Sequence, residues 1–175
     1  MRPATSCADG GLAAAVDVYY PASGGARAAA VLAADMSFSR VVGQRVVAVD
    51  EVLPYQPGAF YRRELPPLLA MLAAQDELRL VVVDGYADLD PQGRPGLGAH
   101  LHAELGIPVI GVAKSPFRTA THAIPVLRGT SSRPLFVTAA GLAREFAADV
   151  VLHMAGSYRV PDAMRRADAL ARTSF

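Results

Sequence analysis

Apolar and β-branched residues fall along this chain in short runs set off by glycine, proline and charge, the pattern of strands alternating with helices. The densest run, Leu80–Val83, is uninterrupted and ends in Asp84-Gly85. A run of that kind suits a strand covered on both faces in a parallel sheet, and a carboxylate at its C-terminal end sits where open α/β sheets place ligands. Before it, Leu12–Tyr20 reads as a strand with one charge, Asp17, in its middle. A Pro-Ala-Ser-Gly-Gly turn leads to a returning strand over Arg27–Asp35, and Gln44–Val52 is a third strand. Short connections between them predict an antiparallel meander.

The segment Leu53–Gly58 is turn chemistry, with two prolines and a glycine fixing an exposed loop and Tyr55 near its tip. Ala59–Gln75 predicts a helix that becomes regular near Leu65, so that Pro66 and Pro67 fall in its first turn. Glu64 then serves equally well as a helix-start acid beside the dipole or as a site carboxylate. Gly96–Leu105 predicts a helix stopped by Gly106, and Ile107–Ala113 a buried strand ending at Lys114. A right-handed crossover between these parallel strands puts Asp84 and Lys114 at one edge of the sheet, where the lysine could neutralise carboxylates or meet a phosphate. Ala123–Leu127 and Leu135–Thr138 read as an exposed peripheral hairpin, and Ala140–Ala155 and Pro161–Arg172 as the last two helices.

At 175 residues the chain is long enough for one domain with its own core. Its hydrophobic fraction of 52% is largely alanine, and no stretch of about 18 apolar residues could span a bilayer. The polar start MRPATSCADGG lacks an apolar leader core, which points to a cytoplasmic protein whose residues 1–10 are poorly ordered. The one cysteine, Cys7, excludes an internal disulfide and a cysteine-based zinc cluster. With 17 basic and 16 acidic residues, net charge neither demands nor forbids a nucleic-acid partner. His100 and His102 face different sides of a helix and make no metal pair; His122 is isolated and His153 reads as packed. Asp88 reads as a turn acid.

What remains is three acids on three elements: Asp17, Glu64 and Asp84. Oxygen ligands of this kind suit Mg²⁺ or Mn²⁺ rather than zinc. A meander followed by alternating helices and strands, with acids on the first and fourth strands, matches the mixed sheet of ribonuclease H-like α/β folds, flanked by helices.

Five segments then carry a resemblance to the endonuclease V family. Ala15–Tyr20 (AVDVYY) resembles its GVDVSY strand. Pro54–Gly58 with Arg63–Pro66 resembles its PYxPG…FREGP. Val83–Gly85 resembles the start of its VDGHG, Gly111–Ser115 is identical to its GVAKS, and Tyr158–Asp162 with Arg165–Asp168 resembles its closing YRLPEPxRxAD. The resemblance implies a metal-dependent endonuclease that nicks DNA or RNA near a deaminated base, inosine, with Mg²⁺ or Mn²⁺ held by Asp17, Glu64 and Asp84. It makes Lys114 a basic residue at the scissile phosphate, and Tyr55 with Pro54, Pro57 and Gly58 the wedge where the base is displaced. Backbone groups around Gly85, Gly111 and Ser115 would serve the substrate. The chain departs from the family where Asp90 replaces the histidine of HPR, Tyr86 replaces that after Asp-Gly, and Val137–Leu142 lacks that of VSxGH. Asp90 is accordingly a candidate to join the catalytic group. A ribonuclease H-like nuclease of other specificity and a catalytically weak nucleic-acid-binding relative are the alternative readings.

Overall fold

The valine run of Leu78–Asp84 (β4) takes the centre of the sheet in the computed structural model, which describes residues 10–173. Residues 1–9, where poor order is expected and where Cys7 falls, lie outside the described residues. On one side of β4 stand Leu12–Tyr19 (β1), Ala26–Ala33 (β2) and Val41–Val49 (β3), paired β1–β2 and β2–β3 antiparallel as the meander requires. On the other stand Val109–Ala113 (β5), Leu135–Ala140 (β7) and Ile124–Val126 (β6), giving the order β3-β2-β1-β4-β5-β7-β6. β4 is parallel to both β1 and β5. The helices are Tyr61–Leu72 (α1), Leu97–Leu105 (α2), Arg144–His153 (α3) and Asp162–Arg172 (α4). The mixed, ribonuclease H-like α/β sheet is therefore as the sequence pattern implies.

Side-chain alternation divides the core cleanly into two faces. Ala13, Ala15, Leu80, Val82, Ile110 and Val112 join Ala163 and Ala167 of α4 and Val151 of α3 in one cluster. Ala14, Val16, Val81, Val83 and Val109 join Leu68 and Met71 of α1 and Leu101 of α2 in the other. Ala14, Ala28 and Ala30 belong to the α1 face, whereas Ala13, Ala15 and Ala33 of β1 and β2 lie under α4, whose Ala163, Ala167 and Ala171 are turned inward and buried. Small residues on both sides let the helix backbone approach the strands.

Three local expectations change. α1 begins at Tyr61, so Pro66 and Pro67 lie inside it and not in its first turn. The turn before them is already fixed by the Arg62 and Arg63 amides donating to the Ala59 and Phe60 carbonyls, at 3.0 and 3.1 Å. The β6–β7 hairpin is not peripheral throughout: β7 pairs with β5, and Leu135 and Val137 are fully buried. His153 is exposed and sits beside Asp149 on its own helix, with no apolar packing of its ring to bury it.

Gly111, in the middle of β5, has a specific steric reason. A Cβ there would collide with the Ala87 amide nitrogen, lie 2.7 Å from the Gly85 carbonyl oxygen and 2.8 Å from Thr138 Oγ1. The loop leaving β4 lies flat on that glycine, held by the Ala87 amide donating to buried Thr138 at 2.8 Å. Gly111→Ala is expected to lower unfolding free energy by about 1–3 kcal/mol, the usual cost of overpacking, measured by urea denaturation.

Candidate active site

The parallel register builds the site. Val16 pairs with Val83, so Asp17 and Asp84 follow side by side at the C-terminal edge. Both have the parity of the α4-facing core positions, Ala15 and Val82, and therefore project to the same face. Asp84 in turn pairs with Val112, which gives Lys114 that same parity two residues on. Its Nζ donates to Asp84 Oδ2 at 2.6 Å.

Glu64 arrives from the first turn of α1 and is only 6% exposed. Asp17, Glu64 and Asp84 line one cleft of about 410 Å³, together with Tyr20, Phe60 and Gly85. A larger cleft of about 510 Å³ between Asp50–Leu53 and Pro66-Pro67 offers only the surface carboxylates Asp50 and Glu51. The carboxylates drawn from three separate elements lie in the smaller one.

A fourth carboxylate joins from α4. Asp168 meets the Asp17 side chain and also accepts from Arg172 Nε at 2.8 Å. It is the site residue that pattern reasoning overlooked, although it ends the quoted Arg165–Asp168 segment. The signal was the position of an acid at the close of a motif. Its approach to Asp17 depends on how closely α4 seats on β1, which no local pattern reveals.

Crowding and burial oppose ionisation here. Loss of solvent, then the Asp84 and Asp168 charges, push Asp17 up to about 7, against the Val18 amide that donates to it at 2.9 Å. Burial pushes Glu64 up to about 7 as well, with Tyr20 and Arg63 opposing and Asp84 reinforcing. Burial works against the Lys114 ammonium, but the Asp84 hydrogen bond and charge outweigh it and raise its pKa. Tyr20 has its hydroxyl buried near Glu64 without well-formed hydrogen-bond geometry, and Arg63 stacks on its ring at 3.7 Å.

An ion of the kind the resemblance implies fits this donor set. All four side chains are hard oxygen ligands, they repel one another as anions, and an ammonium already stands against one of them. As the side chains stand, no three His, Cys, Asp or Glu groups among the described residues form a ready coordination shell. The cluster is thus an acidic cleft that a divalent cation would draw together.

The other expected residues divide. Gly85 lines the cleft, with φ of 134°. Ser115 follows Lys114 on the surface, its carbonyl accepting from the Tyr86 hydroxyl at 2.7 Å. Pro54, Tyr55, Pro57 and Gly58 form an exposed loop leading into α1; Tyr55 is 59% exposed. Gly111 is buried under the β4 loop rather than open to the cleft. Asp90 stands outside the acidic group: its Oδ1 accepts from the Gln92 and Arg94 amides at 3.1 and 3.0 Å, shaping its own turn.

Against known proteins, the Endonuclease V family matches residues 4–136. The chain belongs to the endonuclease V family. Endonuclease V of Streptomyces coelicolor is 36% identical over 91% of this chain and 77% of its own length. That of Azotobacter vinelandii is 34% identical over 93% of this chain and 83% of its own. The crystal structure of Streptomyces avermitilis endonuclease V superposes with a TM-score of 0.77 at 30% identity, covering 93% of this chain and 80% of that one. A Ciona intestinalis endonuclease V in complex with a 23-mer DNA containing inosine shares the fold at a TM-score of 0.80 and 21% identity, covering 95% and 86%. The chain therefore shares the fold of these family members over 93% to 95% of its length.

The raised carboxyls set a pH dependence. Asp17 and Glu64 hold protons more tightly folded than unfolded, so the stability of protein in EDTA falls as pH rises from about 4 to about 7. Asp17→Asn should remove part of that loss, raising stability at pH 8 by about 1–3 kcal/mol while changing little at pH 4, as read by urea unfolding at the two pH values.

Proposed function

We propose that this member of the endonuclease V family is a divalent-metal-dependent nuclease that hydrolyses a phosphodiester bond near a deaminated base, inosine, in DNA or RNA. One observation carries the reading: Asp17, Glu64 and Asp84 come from β1, α1 and β4 to line one cleft, with Asp168 of α4 against Asp17 and Lys114 against Asp84. The inosine-containing DNA bound by the Ciona relative supports the choice of lesion.

In this reading Asp17, Glu64 and Asp84, with Asp168, hold Mg²⁺ or Mn²⁺. Such an ion, when bound, supplies an activated water and neutralises charge developing on the phosphodiester oxygens. The chain's own groups do the rest. Lys114 carries a charge secured by its acidic surroundings, and its flexible stem lets it leave Asp84 for a phosphate oxygen. Arg63, stacked on Tyr20, fixes the far wall next to Glu64. Tyr55, held between Pro54 and Pro57, enters the gap left by a displaced base. Extrusion costs a few kcal/mol, least for a base already mispaired. Gly85 offers backbone at the cleft, Ser115 extends the Lys114 edge, and Gly111 acts indirectly by letting the β4 loop lie flat. Asp90 acts as the carboxylate that shapes its loop.

Nicking of single- and double-stranded oligonucleotides containing inosine, uracil, an abasic site or no lesion, with Mg²⁺, tests the reading. Wild type should cut on inosine. Asp84→Ala and Asp168→Asn should each lower the rate at least about a hundredfold, the scale of about 3 kcal/mol of lost transition-state stabilisation. Asp90→Ala should stay within about tenfold of wild type. Full activity of Asp84→Ala would sink the site assignment, and absence of cutting on every strand would sink the activity.

A further inference from the structure

An aromatic pair follows the ends of β4 and β5, whereas Tyr55 and Phe60 precede α1, which packs on β1, β2 and β3 across the sheet from β5. Tyr86 follows Asp84-Gly85 directly, and Phe117 stands three residues after Lys114. Their rings lie 5.8 Å apart at 47°. Phe117 is 43% exposed, a large apolar ring left in solvent immediately beside the charged groups.

Two features distinguish this ring from an incidental surface phenylalanine. The first is rigidity. Pro116 restricts the chain before it, and the Phe117 carbonyl accepts from the Ala120 amide at 3.0 Å, closing a turn. The Tyr86 hydroxyl donates to the Ser115 carbonyl at 2.7 Å, and Thr119 Oγ1 donates to the Leu89 carbonyl at 2.5 Å. His122, its side chain only 6% exposed, bonds Asp88 at 2.8 Å and ties the far end of the segment to the β4 loop. Phe117 is therefore presented on a loop fixed at both ends, so little order has to be gained on binding. The second feature is the company it keeps. Lys114 and Arg118 flank it in sequence, exposed, and exposed Arg94 reaches the same loop through Thr119 Oγ1 at 3.4 Å. An exposed ring interleaved with cations is the chemistry of single-stranded nucleic acid binding: the ring takes a base face and the cations take phosphates.

We propose that the Tyr86–Phe117 pair is a stacking subsite for an unpaired nucleobase next to the scissile phosphate, with Phe117 as the contacting ring and Tyr86 as its support. The subsite rests on the reading of the substrate as a nucleic acid strand and extends it: a strand crossing from Tyr55 over the acidic edge to Phe117 has an aromatic on each side of the bond to be cut.

The test is binding, read by fluorescence anisotropy with Ca²⁺ replacing Mg²⁺, of a labelled single-stranded inosine oligonucleotide and of copies with one abasic residue moved along the strand. Phe117→Ala should weaken binding of the intact strand about 5- to 100-fold, the range for one stacked base, and Phe117→Trp should restore it. One abasic position near the inosine should weaken wild type by a similar factor and Phe117→Ala no further, since the same contact is already gone. Wild-type affinity in Phe117→Ala, or a loss that adds to the abasic penalty at every position, would overturn the subsite. If wild type binds strands but cuts none, the nuclease reading falls and the binding data still decide the subsite; if wild type binds no strand, both fall.

Discussion

The parallel pairing of β1 with β4 and of β4 with β5 is the constraint on which the site depends. A sheet has a side-chain period of two, so a slip of one residue in either ladder would turn one charge to the opposite face. With Val16 against Val83 and Asp84 against Val112, Asp17, Asp84 and Lys114 leave the sheet at one edge and on one face. Burial enforces the register: Ala14, Val81, Val82 and Val109 are fully buried, and a slip would exchange the sets of side chains that meet the two helix layers. The packing that stabilises the fold and the geometry that assembles the charges are the same set of contacts.

Alanine decides how near the fourth acid comes. β1 and β2 present Ala13, Ala15, Ala29 and Ala33 where larger β-branched residues would serve a sheet equally well, and α4 answers with Ala163, Ala167 and Ala171. Two surfaces of methyl groups bury little area per residue but permit close approach, which delivers Asp168 to Asp17. The cost is concentrated negative charge in a poorly solvated place. Lys114 offsets it at Asp84, Arg172 at Asp168 and Arg63 at Glu64, while Asp17, which has only a backbone amide, is pushed furthest towards its neutral form. The metal-dependent reading proposed for this site requires that imbalance: a cluster fully neutralised by its own lysines and arginines would have nothing to offer a divalent ion.

Much of this was legible in the residues. The buried Leu80–Val83 run, its stop at Asp84-Gly85 and the helix between β4 and β5 fixed the parallel crossover, hence the meeting of Asp84 and Lys114. The isolated charge in LAAAVDVYY marked Asp17. What stayed hidden was decided by contacts distant in sequence. Asp168 looks like any exposed acid on an amphipathic helix until α4 is seated. The β6–β7 strands are short enough to read as a surface hairpin, and only pairing of β7 with β5 buries Leu135 and Val137. Pro66 and Pro67 argued for a late helix start because local rules cannot see that a turn at Ala59–Arg63 is already closed ahead of them.

The loop after β4 shows the same limit from the side of chemistry. Position alone gave Asp90 a place among the catalytic acids, because a family histidine stands there. Its Oδ1 instead accepts two amides of its own turn, and its Oδ2 faces Arg94 Nε at 3.7 Å, so the carboxylate is oriented by its own loop. The histidine that does occur nearby, His122, comes from a different loop and is spent on Asp88 with its other ring nitrogen buried and unpartnered. Both residues act on architecture: one closes the turn, the other fastens the β5 loop to it. Asp90 and His122 thus hold two loops still. In the proposed nuclease reading the catalytic work falls on the carboxylates and Lys114, and the loops contribute a fixed surface, with an exposed ring, against which a strand would be set.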